Sequence, residues 1–307
     1  MGRGFKFSIQ HPQAPSASAW KDIARRAEDV GFYSLSVPDH LGPSLPQLAP
    51  MVALGAAAAV TSRLRLATTV LDNDFRHPVM MAKEAATLDL LSDGRFDLGL
   101  GAGWLEEDYT KTGIASWDAP PVRVSRLIES IKVLRELFTG EPVTFDGEFY
   151  QLRDYVSYPK PLQDPIPLMI GGRGKRMLKM AARDAQIISV LASTAAGGGG
   201  QAGFEEQLGW IKEAGAAQRT DLMLGVRILP YGEIDEVTPR RTLAERLAQA
   251  RGMTTEEALA SPFFALGGKS AVRDHLIEIN ERYGLTYFTV SDAMAWQLAP
   301  VISELSS

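Results

Sequence analysis

Asp39 and His40 are the neighbouring side chains best suited to chemistry in this sequence. They follow the apolar run Tyr33–Val37, and a carboxyl beside an imidazole can hold a cofactor edge and pass a proton to or from a substrate. His11 stands in the same relation to the run Lys6–Gln10, and His77 follows Leu64–Val70 by a few residues, so three of the four histidines lie just past strand-like segments. Their shared placement favours function, with His40 the expected proton-transfer residue and His11 in reserve. A lone histidine is more often structural, and His77, directly before Pro78, reads as the entry to a helix with proline in its first turn.

Two glycine segments extend this set. The run Phe96–Leu100 leads into Gly101-Ala102-Gly103-Trp104, and alternating glycines at a strand end let a flat ring approach the backbone; relief of crowding between strands is the alternative. The spacing departs from the G-x-G-x-x-G turn of a dinucleotide fold. Further on, Ile170-Gly171-Gly172-Arg173-Gly174-Lys175-Arg176 leaves a strand and opens a helix. Free N–H groups at a helix start, reinforced by three basic side chains, suit a cofactor phosphate; a plain glycine-rich turn with solvated charges is the alternative. No Gly-Lys-Ser/Thr closes this segment, which disfavours nucleoside triphosphate hydrolysis.

The elements that must carry these residues alternate along the chain. Strand-like runs at Lys6–Gln10, Tyr33–Val37, Leu64–Val70, Phe96–Leu100, Leu168–Ile170, Gln186–Leu191, Leu222–Leu229 and Tyr287–Ser291 are separated by helical patterns. Trp20, Ile23, Ala24, Ala27 and Val30 recur at helical spacing before Gly31, and helices follow at Leu48–Val60, Val79–Leu91 and Val124–Leu137. Lys175–Ala185, Phe204–Ala216, Arg241–Ala250 and Ala271–Tyr283 complete the series, with Thr254–Ala260 as an additional short helix. Eight strand–helix units predict an α/β fold, a (β/α)8 TIM barrel formed by residues 1–307 as a single domain, with its site built from the loops after the strands. Gly140–Pro167 reads as an insertion between the fourth helix and fifth strand, holding a hairpin of Val143–Phe145 and Glu148–Leu152 about Asp146-Gly147. Ala195–Gly203, with four glycines from Gly197 to Gly200, reads as a flexible loop.

Composition narrows the function. With no cysteine, there is no thiolate nucleophile or disulfide, so redox chemistry must come from a bound cofactor. A net charge of −5 with dispersed Lys and Arg lacks the footprint of a nucleic-acid binder. The absence of an apolar leader or spanning stretch predicts a cytoplasmic protein away from membranes.

Together these segments resemble the bacterial luciferase-like monooxygenase superfamily, in particular its branch of oxidoreductases using the deazaflavin coenzyme F420. The likeness rests on Ser36-Val37-Pro38-Asp39-His40, on Thr69-Val70 with Arg76-His77-Pro78, on Leu91-Ser92-Asp93-Gly94-Arg95-Phe96 leading to Gly99–Trp104, and on Ile170-Gly171-Gly172. It implies that Asp39 contacts the deazaflavin ring and that Thr69, Val70 and Leu71 press on its face through a bulge that in relatives contains a non-proline cis peptide. Gly101, Ala102 and Gly103 would line the rest of the ring site, and Gly171, Gly172, Arg173 and Gly174 would bind the phosphate. Where related sugar-phosphate dehydrogenases carry glutamates, this chain has Gln10-His11 and Trp104, which argues against a sugar phosphate. Trp104, Phe75, Trp20 and Asn73 are the expected substrate-side residues. The expected reaction is hydride transfer between the deazaflavin and a C=C, C=N or C=O bond of a small molecule, with His40 moving the proton and Asp39 or a backbone group fixing its tautomer. An FMN-dependent monooxygenase is the nearest alternative. A metal-dependent hydrolase using His11, His40 and Asp292, and a non-catalytic carrier, are more distant ones; no metal is expected. Relatives imply a homodimer.

Overall fold

A computed structural model of the chain describes residues 4–191, 201–231, 234, 238–291 and 295–305. The strands are β1 (Lys6–Gln10), β2 (Ser34–Val37), β3 (Arg65–Thr68), β4 (Leu71–Asp72), β5 (Phe96–Gly101), β6 (Val143–Asp146), β7 (Gln151–Tyr155), β8 (Leu168–Gly172), β9 (Ile187–Val190), β10 (Met223–Tyr231), β11 (Phe264–Leu266) and β12 (Leu285–Ser291). The helices are α1 (Ala17–Val30), α2 (Pro50–Ala58), α3 (Pro78–Leu91), α4 (Glu106–Thr112), α5 (Pro120–Phe138), α6 (Lys175–Asp184), α7 (Gln201–Glu213), α8 (Arg240–Arg251), α9 (Thr255–Ala260) and α10 (Lys269–Tyr283), with Ala299–Leu305 a closing helix. All eight expected strands are present within a few residues of their predicted ends, and α4, β4, β11 and the closing helix are additions to the sequence reading. Residues 195–200 of the expected flexible loop and Asp292 lie outside the described residues; residues 201–203 of that loop instead open α7.

The chain forms two compact units. One comprises His11–Glu28 and Ser34–Gly171. Its parallel strands pair in the order β2, β3, β5, β8, with β4 added along β5, and are almost wholly buried, as short runs covered by helices on the outer face must be. Buried Arg95 ties the entry of this sheet together by donating to the carbonyls of Ser92, Leu64, Ala58 and Thr61. Asp93 and Gly94 just before it have φ of 54° and 74°, so Ser92-Asp93-Gly94-Arg95 is a turn built to deliver that guanidinium. Helix α3 begins as expected: Pro78 is in its first turn and the His77 ring accepts from the Val79 N–H at 3.2 Å, which makes His77 a cap. The insertion is a two-stranded antiparallel sheet, but its turn is longer than Asp146-Gly147. The Glu129 carboxylate accepts from the N–H groups of Glu148, Phe149 and Tyr150, which holds these residues in the turn and delays β7 to Gln151.

The other unit comprises Met1–Gln10, Asp29–Tyr33 and Gly172–Ser307. Here the parallel order is β9, β10, β12, β1, and the end of β10 also pairs with β11. Phe5, Phe7 and Phe288 stack at 5.6–6.4 Å between centroids on this sheet. The additional helix α9 carries a full capping box between Thr254 and Glu257.

Candidate active site

The C-terminal ends of β2, β3 and β5 bring most of the expected site residues into one unit. After Thr68 the Thr69–Val70 peptide is cis, as the resemblance implies. Thr69 N–H donates to the Val37 carbonyl at 3.0 Å, and the chain resumes pairing with β5 at Leu71. Glycines make this bulge possible. A Cβ on Gly99 would lie 1.8 Å from the Thr68 carbonyl oxygen, and one on Gly101 would lie 2.7 Å from a Val70 methyl. The alternating glycines of β5 therefore receive the protein's own bulge. Val70 sits half-buried between Gly101 and Gly171, where it presents an apolar platform with no Cβ on either side of it. Leu71 is fully buried, so only its main chain is at hand for a ligand.

Gly103 has φ 72°, and a Cβ there would lie 2.0 Å from the Tyr109 hydroxyl and 2.6 Å from an Asp72 oxygen. No other residue fits. The Ala102 and Gly103 carbonyls are held from behind by Arg123, which donates to them at 3.0 and 3.3 Å and lies over the Trp117 ring. Asp72 accepts from the Tyr109 hydroxyl at 2.7 and 2.8 Å and from the Asp74 N–H at 3.0 Å. Burial pushes the Asp72 carboxyl up to about 7, and the nearby charges of Asp74 and Asp39 act in the same direction, while the hydrogen bonds from Asp74 and Tyr109 oppose them. Burial and Asp72 also raise the Tyr109 hydroxyl, which stays protonated as a donor.

The expected Asp39–His40 pair is divided between two partners. Asp39 is buried and accepts from both terminal nitrogens of Arg76, at 2.5 and 3.2 Å, and from the Asp72 N–H at 3.2 Å. Burial opposes the Arg76 charge, but the bonds and charge of Asp39 raise it further above its ordinary value. His40 turns instead to Asp108 of α4, with Nδ1 at 2.7 Å from the carboxylate. The other Asp108 oxygen accepts from the N–H groups of Leu41 and Gly42 at 2.9 and 2.8 Å. Burial works against the Asp108 charge, yet these bonds hold its carboxyl below the usual range. The group fixing the His40 ring is thus Asp108, in place of the Asp39 or backbone group expected from sequence. Trp104, 65% exposed, stands edge-on to the His40 ring with centroids 5.3 Å apart.

The remaining expectations separate. His11 lies edge-on to Trp20 at 6.1 Å. Trp20 is buried and donates to the Ala53 carbonyl at 2.7 Å, so it is a core residue and offers no surface to a substrate. Asn73 and Phe75 line a cleft of about 410 Å³ with Arg76, Arg126 and Tyr150, whereas Trp104 is not among its lining residues. The four expected substrate-side residues are therefore divided: Asn73 and Phe75 line the cleft, Trp104 stands beside His40, and Trp20 is in the core. In the other unit, Gly172, Arg173 and Gly174 connect β8 to α6, and Gly174 caps α6 without any side-chain hydrogen bond. Gln207 pins this loop by donating to the Arg173 carbonyl at 3.0 Å, which leaves Arg173, Lys175 and Arg176 exposed around the helix start. Among the described residues no group of three or more His, Asp or Glu is placed to hold a metal ion.

Alternating elements and sites at strand ends define a class of parallel barrel, and a solved structure confirms it. The coenzyme F420 dependent tetrahydromethanopterin reductase from Methanopyrus kandleri superposes with a TM-score of 0.78 at 22% identity, covering 99% of this chain and 98% of that one. The fold is a (β/α)8 barrel. The model of the luciferase-like monooxygenase family matches residues 4–231, and the chain belongs to that family. An uncharacterised protein of Mycobacterium tuberculosis is 38% identical over 183 residues, 53% of this chain and 64% of that protein. An F420-dependent glucose-6-phosphate dehydrogenase of Nakamurella multipartita is 38% identical over 188 residues, 59% of this chain and 53% of that enzyme. The matches thus span between half and two thirds of the length of these relatives.

Proposed function

We propose that the protein is a coenzyme F420-dependent oxidoreductase that moves a hydride between the deazaflavin and a C=O, C=N or C=C bond of a small organic substrate. The observation that carries this reading is the half-buried Val70 platform between Gly101 and Gly171, with His40 at a neighbouring strand end held by Asp108. A flat ring system can lie on such an apolar platform, because the glycines packed against Val70 add no side chain beside it. Main-chain groups of Asp39, Thr69, Leu71, Ala102 and Gly103 would hold the ring edge, and Gly171, Gly172, Arg173 and Gly174 the phosphate, at the start of α6 where the Gly174 N-cap has no side chain of its own. When bound, the deazaflavin supplies a carbon that accepts or donates hydride.

The chain's own part is proton transfer and positioning. In the oxidising direction His40 takes the hydroxyl proton of an alcohol as its C–H hydride leaves; in the reducing direction the same imidazole returns a proton to the new alkoxide. Trp104 gives the His40 side an apolar wall, and His11 is the second candidate for proton transfer. The relative named for glucose 6-phosphate, and the glutamates missing here, lead us to assign a less charged substrate. The test is anaerobic incubation of the purified protein with F420 and a panel of alcohols and ketones, followed by the deazaflavin absorbance. Turnover abolished in His40→Ala supports the reading. Oxygen-dependent turnover with reduced FMN and none with F420 would overturn it in favour of a monooxygenase.

A further inference from the structure

Helix α4 has no apolar stripe, yet it delivers a buried carboxylate to His40, the first candidate for proton transfer. Asp108 is 1% exposed, and its two oxygens are divided: Oδ2 faces His40 Nδ1, while Oδ1 accepts from Leu41 and Gly42. Those two backbone bonds fix the carboxylate's rotation, so Oδ2 cannot turn away from the ring without breaking them. An ionised carboxylate can only accept, and the facing ring nitrogen must therefore carry the proton. Trp104 stands edge-on to the same ring, with centroids 5.3 Å apart.

We propose that Asp108 is the positioning residue that holds neutral His40 as the Nδ1–H tautomer, leaving the lone pair on Nε2 as the proton acceptor for the reaction. The tautomer claim is independent of the cofactor; its catalytic half rests on the F420 reading above. In the alcohol-oxidising direction the substrate O–H breaks, its proton goes to Nε2, the carbon's hydride goes to the cofactor, and the resulting imidazolium stays paired with Asp108. An unconstrained imidazole favours the opposite tautomer, whose Nε2 has no lone pair to offer.

The test substitutes Asp108→Asn. The asparagine Oδ1 can still accept from Leu41 and Gly42, so its amide NH2 must face Nδ1, and the ring proton must move to Nε2. Long-range ¹H–¹⁵N correlation spectra of labelled protein, with His40 assigned by its loss in His40→Gln, read the tautomer directly at a pH where the ring is neutral. We expect Nδ1–H in the wild type and Nε2–H in D108N. His77, whose ring nitrogen accepts from Val79, keeps its own signal and reports that the fold is intact. With F420 and substrate, kcat of D108N should fall about 100-fold or more, with KM changing by less than about threefold. Asp108→Glu should recover part of that loss.

A wild-type His40 in the Nε2–H form overturns the proposal, and this needs no variant to fold. So does a D108N protein that switches tautomer with unchanged kcat. If the wild type shows the Nδ1–H form but no turnover with F420, the proposed reaction fails while the tautomer assignment stands.

Discussion

Residue identity at the ring site is decided by which carboxylates are paired and which are protonated. Asp39 is neutralised by Arg76, Asp108 is held by His40 and two N–H groups, and Asp72 has only a tyrosine hydroxyl and one N–H, with Asp39 and Asp74 repelling its charge. That difference predicts a pH dependence. The Asp72 carboxyl ionises near 4 in the unfolded chain and only at about 7 in the folded one, so between these values the folded state binds the proton more tightly. Its contribution to stability is therefore greatest below about pH 4 and declines as pH rises towards 7, by an amount on the order of a few kcal/mol. Asp72→Asn carries no such proton. The urea midpoint of the wild type minus that of D72N should fall between pH 5 and pH 8, and a difference independent of pH would show that Asp72 is already ionised in the folded protein.

Among the elements, β5 shows how a strand can serve its neighbour's irregularity. Gly99 faces the Thr68 carbonyl, whereas Gly101 faces only a Val70 methyl. Gly99→Ala puts a carbon against a backbone group that cannot give way, and it should cost at least about 3 kcal/mol or prevent folding. Gly101→Ala can be absorbed by moving Val70, so it should cost about 1 kcal/mol of stability but weaken F420 binding at least tenfold, because the platform itself shifts. Thermal melts and cofactor titrations of the two proteins separate these effects, and equal melts would refute the distinction. The barrel strands and their flanking helices were legible because short apolar runs and three-four periodicity mark them directly. Helix α4 was not, because Glu106-Glu107-Asp108-Tyr109-Thr110-Lys111-Thr112 has no apolar stripe; only its acidic first turn and Gly113 at φ 67° signal a helix. The partner of His40 lies 68 residues away in the chain, a contact no local pattern encodes. The glycines stand out in the sequence, but a single sequence does not say whether a missing Cβ makes room for a ligand or for the protein's own bulge.

The whole molecule couples cofactor binding to folding through mass action. A ligand bound by the native state alone, present at about 100 times its Kd, adds about 2.7 kcal/mol of stability. With an unfolding entropy of about 2 cal/mol/K per residue, a chain of this length should melt roughly 4 °C higher when saturated to that degree with F420. The exposed basic residues at the start of α6 sharpen the expectation. If they bind the cofactor's phosphate, Arg173→Ala should lower affinity about tenfold and shrink the shift, and the wild-type shift should decline with added salt as exposed charges are screened. His40→Ala should keep the full shift, since its role is in proton transfer and the platform is intact without it. Binding and turnover would then separate cleanly: R173A weak in binding yet active at saturation, H40A saturable yet inactive. An FMN-induced shift as large as that of F420, with R173A affecting both alike, would mean that the phosphate loop recognises either cofactor and that the choice between them lies at the ring.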